Sequence, residues 1–224
     1  MKWLISGASV IGQAHLWDNL PNQDAYLYKK QNQHWIVSVS DGLGSKPHSH
    51  IGARQACQSS QYFWQNKCSI KQLHQHWREN LGKILPNQAA CTLLTACVSS
   101  SQAHILQLGD GMVLVKSGGQ VFPVTKQRDN YLNQTFCLTE HFNLTNWQSH
   151  TIPIIQAGDG LILMTDGIAD DIEPQHYTDF FYTIYQVFKN KSHRRQKDWL
   201  KKELSDWATP NSFDDKTLIA IFHN

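Results

Sequence analysis

GLILMTDG, residues 160–167, is an apolar run that closes on an acidic residue followed by glycine. Its length, its apolar content and the turn-forming pair after it read as a β-strand with a carboxylate at its end. The same arrangement recurs at distant points of the chain. SVSDG at 38–42 ends in Asp41, LQLGDG at 106–111 ends in Asp110, and FDDKTLIAIF at 213–222 sets Asp214 and Asp215 against a strand. Carboxylates at the ends of distant strands imply one acidic site assembled by folding. Glycine after aspartate permits a backbone turn at positive φ and brings a carbonyl close to whatever the carboxylate binds. Clustered carboxylates repel one another unless cations neutralise them, so the constellation points to hard divalent metals, Mg²⁺ or Mn²⁺.

Outward from these segments, short apolar or alternating runs dominate the first forty residues: WLIS at 3–6, SVIGQAHLW at 9–17, AYLYK at 25–29 and HWIVSVS at 34–40. They read as strands, with NLPNQD at 19–24 as a turn. A helix follows Ser49, a candidate N-cap, with Ala53, Ala56, Cys57, Phe63 and Trp64 at helical spacing, and a second runs from Ser69 to about Leu85. Strands return between 90 and 125, with Gly118-Gly119 as a hairpin turn, and then in WQSHTIPII and GLILMTD. Tyr177, Phe180, Phe181, Ile184, Tyr185 and Phe188 mark an amphipathic helix, and Leu200, Leu204, Trp207 and Ala208 the stripe of another. TLIAIF is the last strand. Strands, two helices, more strands, two helices and a strand give an α+β chain, with antiparallel sheets packed between helix pairs.

The 224 residues suffice for one large core, and no stretch resembles a linker, so residues 1–224 are read as one domain. Hydrophobic residues make up 41% and charged residues 17%, an ordinary globular balance, and a net charge of +2 gives no support for nucleic acid as a partner. MKWLISGASVIG is too short and too polar for a signal peptide, and no run approaches the roughly 20 apolar residues of a membrane span. A cytoplasmic monomer with no membrane attachment is the expectation. The five cysteines are odd in number and contain no CxxC, which indicates reduced, mostly buried thiols.

Five segments, in order, resemble the motifs of the metal-dependent Ser/Thr protein phosphatases of the PPM (type 2C) family. PNQDAYLY at 21–28 is similar to its first acidic motif, and VSVSDGLGSKPHSHIGARQAC at 37–57 to its central Asp-Gly motif with the following helix. LQLGDGMVLV at 106–115 resembles its Gly-Asp-Ser strand pair, AGDGLILMTDGIADDI at 157–172 its Ser-Asp-Gly motif, and DDKTLIAIF at 214–222 its terminal Asp-Asn strand. DGLGS and the compact length are most similar to small bacterial members. The resemblance implies a sandwich of two antiparallel β-sheets flanked by pairs of helices. It also implies hydrolysis of phosphoserine or phosphothreonine in a phosphoprotein substrate, opposing a Ser/Thr kinase.

The same resemblance implies roles. Asp41 bridges two Mn²⁺ or Mg²⁺ ions, the Gly42 carbonyl reaches one of them through water, and Asp166 and Asp214 complete the first ion's shell. Asp24 supports that shell, while Asp110 and Asp170 match positions that hold a third, weaker ion in some relatives. A metal-bridged hydroxide then attacks phosphorus in line. The chain departs from the pattern at Gln23, where relatives carry Glu, at Gly111 and Met112, and in the absence of Arg from GQAHLWDNLPNQD. His15 is the positional substitute for that Arg, on the strand before a lengthened loop, and a residue able to protonate a leaving alkoxide. Asp159, in AGDGLIL, reads as an ordinary turn. The departures leave an alternative function, a phosphatase-fold binding or regulatory module that is catalytically weak or inactive.

Overall fold

The computed structural model describes residues 2–124, 135–207 and 213–224. Its elements are β1 (Trp3–Val10), α1 (Gln13–Trp17), β2 (Ala25–Gln31), β3 (His34–Ser40), α2 (Ser49–Asn66), α3 (Ile70–Asn80) and β4 (Leu93–Val98). There follow β5 (Gln102–Leu108), β6 (Met112–Ser117), β7 (Gln120–Pro123), β8 (Gln148–Pro153), β9 (Gly160–Met164), α4 (Asp166–Ala169), α5 (Tyr177–Asn190), α6 (His193–Ser205) and β10 (Lys216–His223). Among the described residues the strands form two five-stranded sheets, ordered β1-β10-β9-β6-β7 and β2-β3-β4-β5-β8. Every pairing is antiparallel.

The two sheets face each other and helices cover their outer faces, an α+β arrangement of four layers. Alternation along β10 shows how one strand serves two cores. Ile219 and Ile221 pack between the sheets with Val37, Val39 and Leu94, whereas Leu218, Ala220 and Phe222 face α5 and α6. A strand buried on both faces reads as an unbroken apolar run. Phe181, Tyr185 and Phe188 of α5 meet the Phe222 ring at centroid distances of 5.2, 5.3 and 5.5 Å. These are tilted, edge-type contacts in which the positive rim of one ring meets the negative face of another. On the opposite side Ala53 and Ala56 of α2 and Leu73 and Trp77 of α3 cover Leu93 and Leu106.

Three local readings change. Residues 13–17 are a helix, not the continuation of β1, because the chain breaks from its partner at Val10↔Lys216 and Gly12 turns its N–H to a side chain. The cap of α2 is His48, with Ser49 inside the first turn donating its hydroxyl to the Lys46 carbonyl. The next helix stops at Asn80, short of Leu85, where Gly82 takes φ +61°. At its start Ser69 and Gln72 form the reciprocal bonds of a capping box. Gly118 and Gly119 both have positive φ, 58° and 93°, as a two-residue hairpin turn requires. Ala208 lies outside the described residues. No helix among them is long and apolar enough to cross a membrane.

Register decides where the acidic residues meet. Ala25 pairs with Ser40, Leu93 with Leu108, Met164 with both Met112 and Leu218, and Val10 with Lys216. Each of these pairs closes its ladder at the same end of the sandwich. Asp24, Asp41, Asp110, Asp166 and Asp214 each lie within two residues of those closing positions.

Candidate metal centre

Asp41, Asp110, Asp166 and Asp214 line one cavity of about 160 Å³, together with Gly42, Leu43, Gly44 and Thr135. Oxygens of Asp41, Asp110 and Asp166 lie within 4.8 Å of one another. The backbone around Asp41 is tied to β4's approach: its N–H donates to Thr92 Oγ1 at 3.0 Å and its carbonyl accepts from Thr92 N–H at 2.7 Å. Asp110 sits in the β5–β6 turn, where Gln107 donates to the carbonyls of Gly109 and Gly111 and the Thr135 hydroxyl donates to Asp110 Oδ2. Asp166 opens α4, immediately after Thr165, whose hydroxyl donates to Asp24 Oδ2 at 2.9 Å.

The glycines of these pairs serve close packing, not positive φ. Gly42 and Gly167 avoid the left-handed region, but a Cβ on Gly167 would come within 2.1 Å of the Asp215 carbonyl and one on Gly42 within 2.8 Å of the Gln23 carbonyl. Any side chain there would push the acidic segments apart.

The electrostatics are those of a site built for cations. Burial raises the Asp41 carboxyl well above the usual carboxylate range, and Asp24, Asp166, Asp214 and Asp110 push it further. Asp24 is raised too, by burial and then by Asp215, against the opposing hydrogen bonds of Thr217 and Thr165. Asp24 Oδ1 and Gln23 Oε1 are buried acceptors with no hydrogen-bond donor among the described residues. A set of carboxylate oxygens with orphaned acceptors behind it fits a hard divalent ion and its retained waters, and it does not fit a soft ion that prefers sulfur.

His15, on α1, is buried and belongs to a second close group with Asp214 and Asp215. Its Nδ1 lies 2.9 Å from Asp215 Oδ2. The two groups are joined through Asp214, which lines the cavity of the first and belongs to the second. Asp110, expected beside Asp170 at an accessory position, stands with Asp41 and Asp166. Asp170 is exposed at the end of α4 and is in neither close group. Asp24 lies one layer behind the cavity. A larger cavity of about 250 Å³, beside Val10, Leu204, Trp207 and Phe213, has no carboxylate in its lining.

Two residues without an expected role emerge: Thr165, which holds Asp24, and Asp215, which holds His15. Thr165 precedes a legible Asp-Gly pair, but nothing in its own letter marks it. Asp215 had a signal, an acidic residue doubled beside Asp214 at the start of a buried strand.

A family model described as protein phosphatase 2C matches residues 11–207. Serine/threonine-protein phosphatase 3 of Escherichia coli (strain K12) is 27% identical over 173 residues, covering 67% of this chain and 68% of that relative. The chain is also similar to the solved catalytic domain of the serine/threonine protein phosphatase PstP in complex with two manganese ions. That likeness has a TM-score of 0.68 at 14% identity, covering 99% of both chains. A structure of Mycobacterium tuberculosis PstP/Ppp gives a TM-score of 0.68 at 12% identity over 100% of both chains.

Proposed function

The chain belongs to the protein phosphatase 2C family, and from that premise we propose that it is a Mn²⁺- or Mg²⁺-dependent phosphatase of phosphoserine and phosphothreonine in a phosphoprotein. The observation that carries this reading is the meeting of Asp41, Asp110 and Asp166 within 4.8 Å in a cavity that Asp214 also lines. A structural acidic turn has no reason to gather four carboxylates around one cavity, where burial and then three of them push the fourth, Asp41, above its usual range.

In this reading Asp41, Asp166 and Asp214 hold the ions, with the Gly42 carbonyl, Asp24 and Asp110 supporting them and Asp170 at the margin. Bound divalent ions supply neutralisation of the phosphate's charge and activation of water. The chain's own residues do the rest. Thr92 and Thr165 fix Asp41 and Asp24, and the tight Gly42 and Gly167 contacts keep the acidic segments in register. His15 acts as the acid that protonates the departing seryl or threonyl oxygen, in place of a phosphate-gripping Arg.

The test is hydrolysis of a phosphoserine peptide with added Mn²⁺ or Mg²⁺. Turnover is expected to vanish with chelator and in Asp41→Asn. Metal-dependent turnover that survives Asp41→Asn and Asp166→Asn would overturn the assignment. One observation favours a second reading, a binding module without turnover: the residue buried behind the cavity beside Asp24 is the neutral Gln23. Calorimetric Mn²⁺ binding with no hydrolysis of any phosphomonoester would support it.

A further inference from the structure

Asp215 is buried and accepts from three directions. Its Oδ1 accepts the Gly12 N–H at 2.7 Å, and its Oδ2 accepts the Gln23 N–H at 2.5 Å while facing His15 Nδ1 at 2.9 Å. Two backbone donors commit both oxygens to accepting, so the His15 ring must present Nδ1 with its hydrogen. Nε2 is then the atom left to give and take a proton. It lies 4.0 Å from where a Cβ on Gly44 would sit, with Gln23 Oε1 at the same distance from that point. Gly44 lines the carboxylate cavity, which places Nε2 beside its wall.

Little else orients this histidine. Helix α1 has only five residues, and its Leu16 and Trp17 are 53% and 68% exposed. Its ties to the chain around it include Ala14 N–H to the Phe213 carbonyl, Leu20 N–H to the His15 carbonyl and the Trp17 ring on Phe213 at 5.8 Å, and none of these touches the imidazole.

We propose that Asp215 is a positioning residue that holds His15 with Nδ1–H turned inward and Nε2 toward the cavity, and that this pair adapts the site to alkyl phosphates with poor leaving groups. The proposal rests on the phosphatase reading above. As the bond from phosphorus to the seryl or threonyl oxygen breaks, that oxygen takes the Nε2 proton. Water oxygen forms the new bond to phosphorus, its surplus proton passes to solvent, and His15 is reprotonated from solvent. The products are the free alcohol and inorganic phosphate. An aryl phosphate, whose leaving group departs readily as an anion, gains little from the pair.

The experiment compares a phosphoserine peptide with 4-nitrophenyl phosphate for wild type, Asp215→Asn, His15→Gln and the double variant. General acid catalysis contributes roughly 10²- to 10⁴-fold. Each single variant is therefore expected to lose about a hundredfold in kcat on the peptide, with KM little changed. The loss on the aryl ester is expected to be at least about tenfold smaller, because less acid assistance is at stake. The double variant is expected to match His15→Gln, since the two residues act as one unit. Long-range ¹H–¹⁵N spectra of metal-free protein are expected to show the Nδ1–H tautomer of His15, and its loss in Asp215→Asn.

Equal losses on both substrates would reduce Asp215 to a structural tie and overturn the proposal, as would an Nε2–H tautomer in wild type. If Asp215→Asn does not fold, His15→Gln and the wild-type tautomer still decide. A wild type with no metal-dependent turnover of either ester overturns the phosphatase reading, and the tautomer spectrum then tests the Asp215–His15 pairing separately.

Discussion

Asp159-Gly160 and Asp166-Gly167 stand at the two ends of β9, the same dipeptide in opposite surroundings. Asp159 is buried against Lys116 Nζ at 3.1 Å and accepts the N–H groups of Gly118, Ile155 and Gln156 at 3.1, 3.0 and 3.1 Å. Burial on its own raises the Asp159 carboxyl, but the three N–H donors and the Lys116 ammonium outweigh it and hold the group below its usual range. At the other end Asp166 joins Asp41 and Asp110, and the Asp41 carboxyl is raised. A carboxylate that serves the fold is buried with its donors. One that serves a ligand is gathered among other carboxylates, whose charges add to burial in pushing the Asp41 carboxyl upward.

The largest expected contrast is in catalysis. Outer-shell support of a metal ligand is worth about 10- to 100-fold, so removing a proposed ligand, as in Asp166→Asn or Asp41→Asn, is expected to cost at least about a hundredfold in kcat. Asp159→Asn, assayed well below its melting temperature, is expected to stay near wild type. A comparable loss in Asp159→Asn would erase the distinction between the two ends.

Stability should reverse the order. Asp159→Ala strands Lys116 in the interior and is expected to cost about 3–5 kcal/mol in denaturant unfolding, the range for breaking a buried pair. Charge-neutral loss of both partners, in Lys116→Met combined with Asp159→Ala, should recover part of that. No recovery would mean that the backbone N–H groups, not the ammonium, are what Asp159 satisfies.

Metal supplies the next contrast. Mn²⁺ at a hundred times its dissociation constant is expected to stabilise wild type by about 2.7 kcal/mol. Chelator should abolish the gain, and Asp41→Asn should show much less of it, while Asp159→Asn keeps it.

The smallest effect is in metal-free protein. The folded Asp41 and Asp24 carboxyls are raised above their unfolded values, so their contribution is fully present below the ordinary carboxylate range and is lost as pH rises through the folded values. Asp159, being depressed, contributes above its unfolded value, and that contribution is lost as pH falls through the folded one. Asp41→Asn is therefore expected to stabilise the metal-free protein at neutral pH by about 1 kcal/mol, as functional-site substitutions often do. The gain should shrink as the solution is acidified toward pH ~4, where the unfolded carboxylate itself takes up a proton. A gain independent of pH would point to packing instead of charge.

Much of the fold was legible because its strands are apolar runs bounded by turn chemistry, and β9 and β10 are the clearest cases. α1 was misread because QAHLW continues the apolar spacing of β1, and nothing local says that Gly12 turns away toward Asp215. The strand-end aspartates were legible as acidic residues beside glycine. Asp159 and Asp166 share that signal, and only their neighbours separate them. Thr165 and the Asp215–His15 contact were not legible, since the partners lie 141 and 200 residues apart.

By itself the sequence determined the element types, through hydrophobic period and turn residues, and the supply of carboxylates at strand ends. Only the tertiary structure decided which carboxylates meet. Antiparallel register brings one end of each ladder to a common edge, and the length of β9 separates the acidic cavity at Asp166 from the buried pair of Asp159 and Lys116. Local letters carry propensity and charge, but pairing distant strands sets distance, and distance decides whether a carboxylate faces a donor or another acid.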